Sequence, residues 1–258
     1  MKILGVIPAR MAASRFPNKP LAKILGMPMI GHCYFRSKLC SLLDETWVAT
    51  CDEEVVSYME SIGGKAIMTA DTHERASERS AEALLNIEAS LRDTKFDIIV
   101  MIQGDEPLID PEMIREAVEP MINTNKMVSN LMAPLHTDEE RRNPNNVKVV
   151  TDTEGRALYM SREPIPSSQK YKGQIHAHRQ LGLIAFTREA LLKFVALPTT
   201  PLEIIESVDM NRFLEHGIPI HMRVTQFQAD SVDTPQDLIR VEEKMRKDLL
   251  FESYRKYC

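Results

Sequence analysis

The chain has 258 residues, 43% hydrophobic and 27% charged, the balance of an ordinary globular protein with room for a sizeable core. Its net charge of −5 argues against a nucleic-acid partner held by a globally basic surface, and no apolar run approaches the roughly 20 residues of a membrane helix. Cys33, Cys40, Cys51 and Cys258 form no CxxC pair and MKILGVIPAR is too short an apolar run for a secretory signal, so reduced thiols and a cytoplasmic location are expected.

In chain order, residues 3–7 predict a first strand, 28–43 carry helical spacing, and 46–49 are again short and apolar. A helix over 53–62, a strand over 66–68 and a helix over 80–91 follow. Residues 96–102 form the strongest predicted strand, apolar on both faces as a central parallel strand requires, with Asp97 the one polar residue near its start. This alternation predicts an α/β fold with a mostly parallel, doubly wound, Rossmann-like sheet. Beyond about residue 125 the pattern loosens: β-like runs at 126–132, 147–150 and 157–160 are punctuated by RRNPNN and REPIPSS. A strand over 182–186, helices from Arg188 and Pro201, a strand over 218–224 and a closing helix over 235–250 complete the chain. The last helix opens on Pro235, where a missing N–H costs least. The simplest organisation is a single domain over 1–258, with a core of roughly 1–125 and 218–258 and a smaller mixed α+β subregion over roughly 126–217.

In open α/β sheets ligands bind beyond the carboxyl ends of the strands. Four such ends carry polar groups: VIPARMAASRFPNKP after the first strand, THERASER after the third, QGDEP after the central one, and SVDTP before the last helix. Arg10, Arg15 and Lys19, with small residues between them, suit a polyphosphate that the backbone N–H groups of residues 9–14 approach closely. Asp105 and Asp233 offer hard oxygens to Mg²⁺, which binds through one or two carboxylates plus substrate phosphates. Singly, each segment reads as a solvated turn or a helix cap. Jointly, cations opposite carboxylates describe a phosphoryl- or nucleotidyl-transfer site. No GxxxxGK[ST] and no GxGxxG follows the first strand, which disfavours a P-loop NTPase and a dinucleotide oxidoreductase. HAHRQ, with two histidines two residues apart and no third ligand, reads as a polar strand or a substrate-facing rim. The mixed-charge amphipathic C-terminus reads as packing on the core or on a second subunit, not on a membrane.

VIPARxxxSRFPxKPL, IQGDEPLI, SREPIP, PLEIIES and VDTPQDL, collinear over essentially the whole chain, resemble the 3-deoxy-manno-octulosonate (Kdo) cytidylyltransferases. The resemblance implies a Mg²⁺-dependent enzyme, commonly a homodimer, that transfers CMP from CTP to a sugar acid with release of pyrophosphate, a step of lipopolysaccharide biosynthesis. It implies that Ala9, Arg10, Ser14, Arg15 and Lys19 hold the CTP phosphates, that Ser77 and Arg79 sit on the cytosine side, and that Asp105 and Asp233 are the metal ligands. Arg10, Lys19, Asp105 and Asp233 are then the catalytic groups, and Gln103 faces both substrates. Arg162, Arg179, Gln180, Asp209 and Arg75 fall to the acceptor, the first four on the subregion that also carries the dimer contact and Arg75 in the RASER loop.

The chain departs from the family in three places: RASER (75–79) stands for SGTDR, RQLGLIAF (179–186) for RHIGIYAY, and SVDMNR (207–212) for SLEQLR. The phosphate and metal groups stay while acceptor-side groups change, and a site built to hydrogen-bond hydroxyls discriminates sharply when its donors change. The expected acceptor is therefore a small acid other than ordinary Kdo: a modified sugar acid, or a phosphonate received by Arg75, His176, His178 and Arg179. A non-catalytic binding module of the same fold is the reading from another class. It predicts loss of a metal carboxylate or a phosphate cation, yet Arg10, Arg15, Lys19, Asp105 and Asp233 are all present.

Overall fold

The computed structural model describes residues 1–12, 16–92, 94–228 and 230–257. Two compact units divide the chain: Met1–Arg115 with Ala229–Cys258, and Glu116–Gln228. The first contains β1 (Ile3–Ala9), β2 (Lys23–Ile24), β3 (Met27–Pro28), α1 (Met29–Lys38), β4 (Glu45–Thr50), α2 (Glu53–Ser61), β5 (Ala66–Met68), α3 (Ala76–Ser90), β6 (Ile98–Met101) and the start of α4 (Pro111–Val118). The second contains β7 (Val128–Leu135), α5 (Asp138–Arg142), β8 (Lys148–Thr151), β9 (Ala157–Ser161), β10 (Ala177–Thr187), α6 (Arg188–Ala196), α7 (Pro201–Glu206), α8 (Asn211–Glu215) and β11 (His221–Val224). The chain returns to the first unit as α9 (Pro235–Met245) and α10 (Leu249–Tyr254).

The first unit is the parallel sheet expected. β1 pairs with β6 on one side and β4 on the other, and β4 pairs with β5, all parallel. All four residues of β6 are buried, as are six of the seven in β1, which explains why both read as unbroken apolar runs. All carboxyl ends of a parallel sheet lie along one edge, so the segments after β1, β5 and β6 open on the same side.

The second unit is mixed. β7 pairs antiparallel with β10 and parallel with β11, while β8 lies antiparallel between β10 and β9. Its contact with β7 places β11 in this unit, so the division falls at 115/116 and 228/229 where the sequence suggests about 125 and 217. β10 runs eleven residues, more than twice the 182–186 stretch, because backbone pairing to β7 and β8 holds the polar His178–Gln180 segment extended.

α3 begins at Ala76, four residues before the expected start, with Arg75 as N-cap and Glu78 reaching back to the Arg75 N–H. The closing helix is broken: α9 ends at Met245 and Asp248 caps a separate α10. α10 docks on α1, where Tyr254 and Phe251 approach the His32 ring at 5.7 and 5.8 Å and Asp248 pairs with Arg36. The C-terminus therefore packs on the core of its own unit. Cys33, Cys40 and Cys51 are free thiols, and Cys258 lies outside the described residues.

Candidate active site

The first unit carries a cavity of about 340 Å³ lined by Arg10, Lys19, Arg75, Arg79, Asp105 and Asp233, together with Gln103. Each reaches it for a local reason. β1 delivers Ala9 and Arg10 at its carboxyl end, and the loop beyond is tied down by Met11 N–H donating to Asp52 Oδ2 (2.8 Å) and Asn18 N–H donating to the Met11 carbonyl (3.1 Å). Lys19 opens a 3-10 turn stiffened by the buried Pro20. Ser14 and Arg15 lie outside the described residues.

Gln103, Gly104 and Asp105 leave the end of β6 against the end of β1. Ile102 N–H donates to the Val6 carbonyl (2.9 Å), and a Cβ on Gly104 would stand 2.6 Å from the Pro8 carbonyl oxygen, so only glycine allows this approach. Asp233 is brought to Asp105 by the backbone: Val232 N–H donates to the Asp105 carbonyl at 2.9 Å. Behind it, Asp237 accepts from the N–H groups of Asp233 (3.2 Å) and Thr234 (3.0 Å) and from the Thr234 hydroxyl (2.8 Å). Burial disfavours the Asp237 carboxylate, but these hydrogen bonds outweigh it and hold the group below its ordinary range. The Lys19 ammonium lies between the two site carboxylates, 2.7 Å from Asp105 Oδ2 and 3.5 Å from Asp233 Oδ1.

On the α3 side the expectations divide. Arg79 is almost fully buried; its Nη1 donates to Thr69 Oγ1 and the Ala70 carbonyl, while its buried Nη2 has no partner among the described residues. Ser77 is fully buried and is not among the cavity-lining residues. His73 and Glu74 line the cavity and were not singled out by the sequence, although they lie in the THERASER stretch that marked this strand end. His73 is held by Glu82, which also accepts from the Ala70 N–H (3.0 Å).

In the second unit, Arg162 is a structural brace. Its guanidinium donates to the carbonyls of Glu206 (2.7 Å), Pro144 (2.8 Å) and Ser207 (3.3 Å). Gln180 donates to Asn130 Oδ1 (2.9 Å), whose Nδ2 in turn donates to the carbonyls of Leu181 and Leu183 across the irregular stretch of β10. Asp209 is half-buried, its carbonyl accepting from Arg212 N–H. Arg179 lines a cavity of about 100 Å³ with His136 and Glu140, whereas His176 and His178 line another of about 630 Å³ with Arg141 and Arg142. The four groups expected to receive a phosphonate are thus distributed over three cavities, with Arg75 in the first unit.

In the first unit, Arg10, Arg75 and Arg79 line one cavity with two carboxylates bridged by Lys19 at the carboxyl edge of a parallel sheet, an arrangement suited to binding a polyphosphate and a hard cation together. The cytidylyltransferase family model matches residues 4–224. The 3-deoxy-manno-octulosonate cytidylyltransferase of Geobacter metallireducens is 40% identical over 258 residues, covering 96% of this chain and 99% of that protein. The protein of the same name from Syntrophotalea carbinolica is 41% identical over 255 residues, covering 95% and 99%. A solved structure of CMP:2-keto-3-deoxy-manno-octonic acid synthetase complexed with CTP superposes with a TM-score of 0.88 at 34% identity, covering 96% of this chain and all of that one. A cytidylyltransferase from Leptospira borgpetersenii shares the fold at a TM-score of 0.63 and 16% identity, covering 100% of this chain and 96% of that one. The chain belongs to the 3-deoxy-manno-octulosonate cytidylyltransferase family.

Proposed function

We propose that this enzyme transfers CMP from CTP to a small sugar acid, Kdo-like or a modified relative, with Mg²⁺ held by Asp105 and Asp233. The observation that carries the reading is that Arg10, Lys19, Asp105 and Asp233 line one cavity, with the Lys19 ammonium between the two carboxylates. An acceptor oxygen attacks the α-phosphorus, the bond to the β-phosphate breaks, and pyrophosphate leaves. Arg10 and Lys19 donate to the triphosphate and stabilise the charge that builds on the leaving group. The α3 end of the cavity takes the nucleoside side through Arg79, while Arg75, at the N-cap of the same helix, is left to the acceptor.

The donor set fits Mg²⁺. Two carboxylates held together by the Val232–Asp105 hydrogen bond are hard-oxygen ligands, and the Lys19 ammonium stands in for a cation between them. No group of three His, Cys, Asp or Glu side chains poised to hold a metal occurs among the described residues, so phosphate oxygens and water would complete the shell. Bound there, Mg²⁺ neutralises phosphate charge.

The working form in this reading is a cytoplasmic homodimer; no helix among the described residues is long and apolar enough to cross a membrane. The acceptor differs from ordinary Kdo. In support, the chain carries Gln180 and Ile184 where the family's usual residues are a histidine and a tyrosine. The test is pyrophosphate release with CTP, Mg²⁺ and a panel of sugar acids and phosphonates. A modified sugar acid is expected to turn over best, and efficient turnover of Kdo would remove the altered-acceptor reading. With the best acceptor, Asp105→Asn is expected to lower kcat about 100-fold or more while leaving the fold intact by circular dichroism.

A further inference from the structure

The loops that carry Asp105 and Asp233 are held together by backbone. The Val232 N–H to Asp105 carbonyl bond joins their two loops, and the Thr234–Asp237 cap anchors the second at the start of α9. Two carboxylates so placed repel one another, and the cost rises as they are removed from water. The Lys19 ammonium answers that cost, reaching both from a side chain only 14% exposed. The lysine backbone cannot follow its head group elsewhere: Pro20 is buried, Ala22 N–H donates to the Lys19 carbonyl (3.1 Å), and Met29 N–H donates to the Ala22 carbonyl (2.8 Å). A four-carbon stem on an anchored backbone lets the ammonium swing while everything around it stays.

We propose that Lys19 is a placeholder counter-ion that couples nucleotide binding to metal binding. Without nucleotide, its ammonium occupies the point between Asp105 and Asp233 and competes with a divalent cation for the same oxygens. An incoming triphosphate draws the ammonium toward its own oxygens and clears the carboxylates. The same phosphates then supply the ligands that two carboxylates lack. Nucleotide and metal therefore favour each other's binding, and by linkage the coupling is reciprocal. This rests on the metal reading proposed above.

The test is direct Mn²⁺ binding to the nucleotide-free protein, followed by the electron paramagnetic resonance signal of free Mn²⁺. Lys19→Met keeps the stem and removes the charge. It is expected to bind Mn²⁺ about tenfold more tightly than the wild type, a gain of about 1.4 kcal/mol. Lys19→Gln should behave alike, which guards against a folding defect peculiar to one variant, and the gain should vanish in Lys19→Met/Asp105→Asn. Equal or weaker Mn²⁺ binding by Lys19→Met and Lys19→Gln, with the wild type binding Mn²⁺ when CTP is present, overturns the placeholder and leaves the metal reading standing. If neither wild type nor variant binds Mn²⁺ above an Asp105→Asn blank, with CTP or without it, the metal reading fails and takes the proposal with it.

Discussion

At the residue scale, His32 shows how one buried side chain ties acid stability to the fold. Its Nε2 lies 2.8 Å from the Ile24 carbonyl, which only accepts, so Nε2 carries the proton. In the neutral ring Nδ1 then accepts from the Tyr254 hydroxyl at 3.2 Å. Burial, helped by the nearby Arg36 charge, lowers the imidazole from 6.5 to about 4 and outweighs the carbonyl that favours the charged form. Burial likewise pushes the Tyr254 phenol up to about 12, so the hydroxyl keeps its proton throughout. A base with a depressed folded-state value is protonated first in the unfolded chain. His32 therefore costs no stability above pH 6.5, and its penalty grows as pH falls from 6.5 to about 4. The full penalty is about 3 kcal/mol. Urea unfolding across this window should show a steeper loss in the wild type than in His32→Gln, the difference closing above pH 7.

At the scale of elements, the catalytic geometry depends on how strands end. β1 and β6 are neighbours, so their following loops meet, and Gly104 sets the distance between them. Gly104→Ala places a methyl 2.6 Å from the Pro8 carbonyl oxygen, a backbone atom with no rotamer to yield. The loop must shift, carrying Asp105 with it. The expected cost is about 1–3 kcal/mol in stability. Misplacing a group by an ångström costs activity about 100-fold, so kcat should fall further than the stability loss explains. Thermal melting and steady-state kinetics on the same preparation separate the two. The caps of α3 and α9 act similarly, since each fixes where a polar segment enters the cavity.

At the scale of the whole molecule, a bound nucleotide stabilises the folded chain by mass action. At 100 times Kd, CTP with Mg²⁺ contributes about 2.7 kcal/mol. For a chain of this size each kcal/mol moves Tm by about 2–4 °C. Calorimetry with each of the four nucleoside triphosphates at equal concentration should show the largest rise with CTP. Equal rises would mean that the RASER stretch no longer selects the base.

The alternation of apolar strands and amphipathic helices was legible over the first hundred residues, because a strand buried on both faces and a helix buried on one leave different periodicities. The polar strand ends were legible too, and with them Arg10, Lys19, Asp105 and Asp233, since loops past parallel strands are forced to one edge. What periodicity does not carry is which distant groups satisfy a side chain. Arg162, expected on the acceptor side, braces three carbonyls, Ser77, expected to face the nucleotide, is buried, and Arg75 and His176, expected at one anion site, line different cavities. The long β10 and the broken closing helix were hidden for the same reason: pairing to β7 and β8, and the docking of α10 on α1, override local preference. The sequence by itself determined the fold class, the family and the gathering of Arg10, Lys19, Asp105 and Asp233 at strand ends. Tertiary structure alone decided that Lys19 stands between its two aspartates, because a backbone hydrogen bond between segments more than a hundred residues apart brings those carboxylates to one cation.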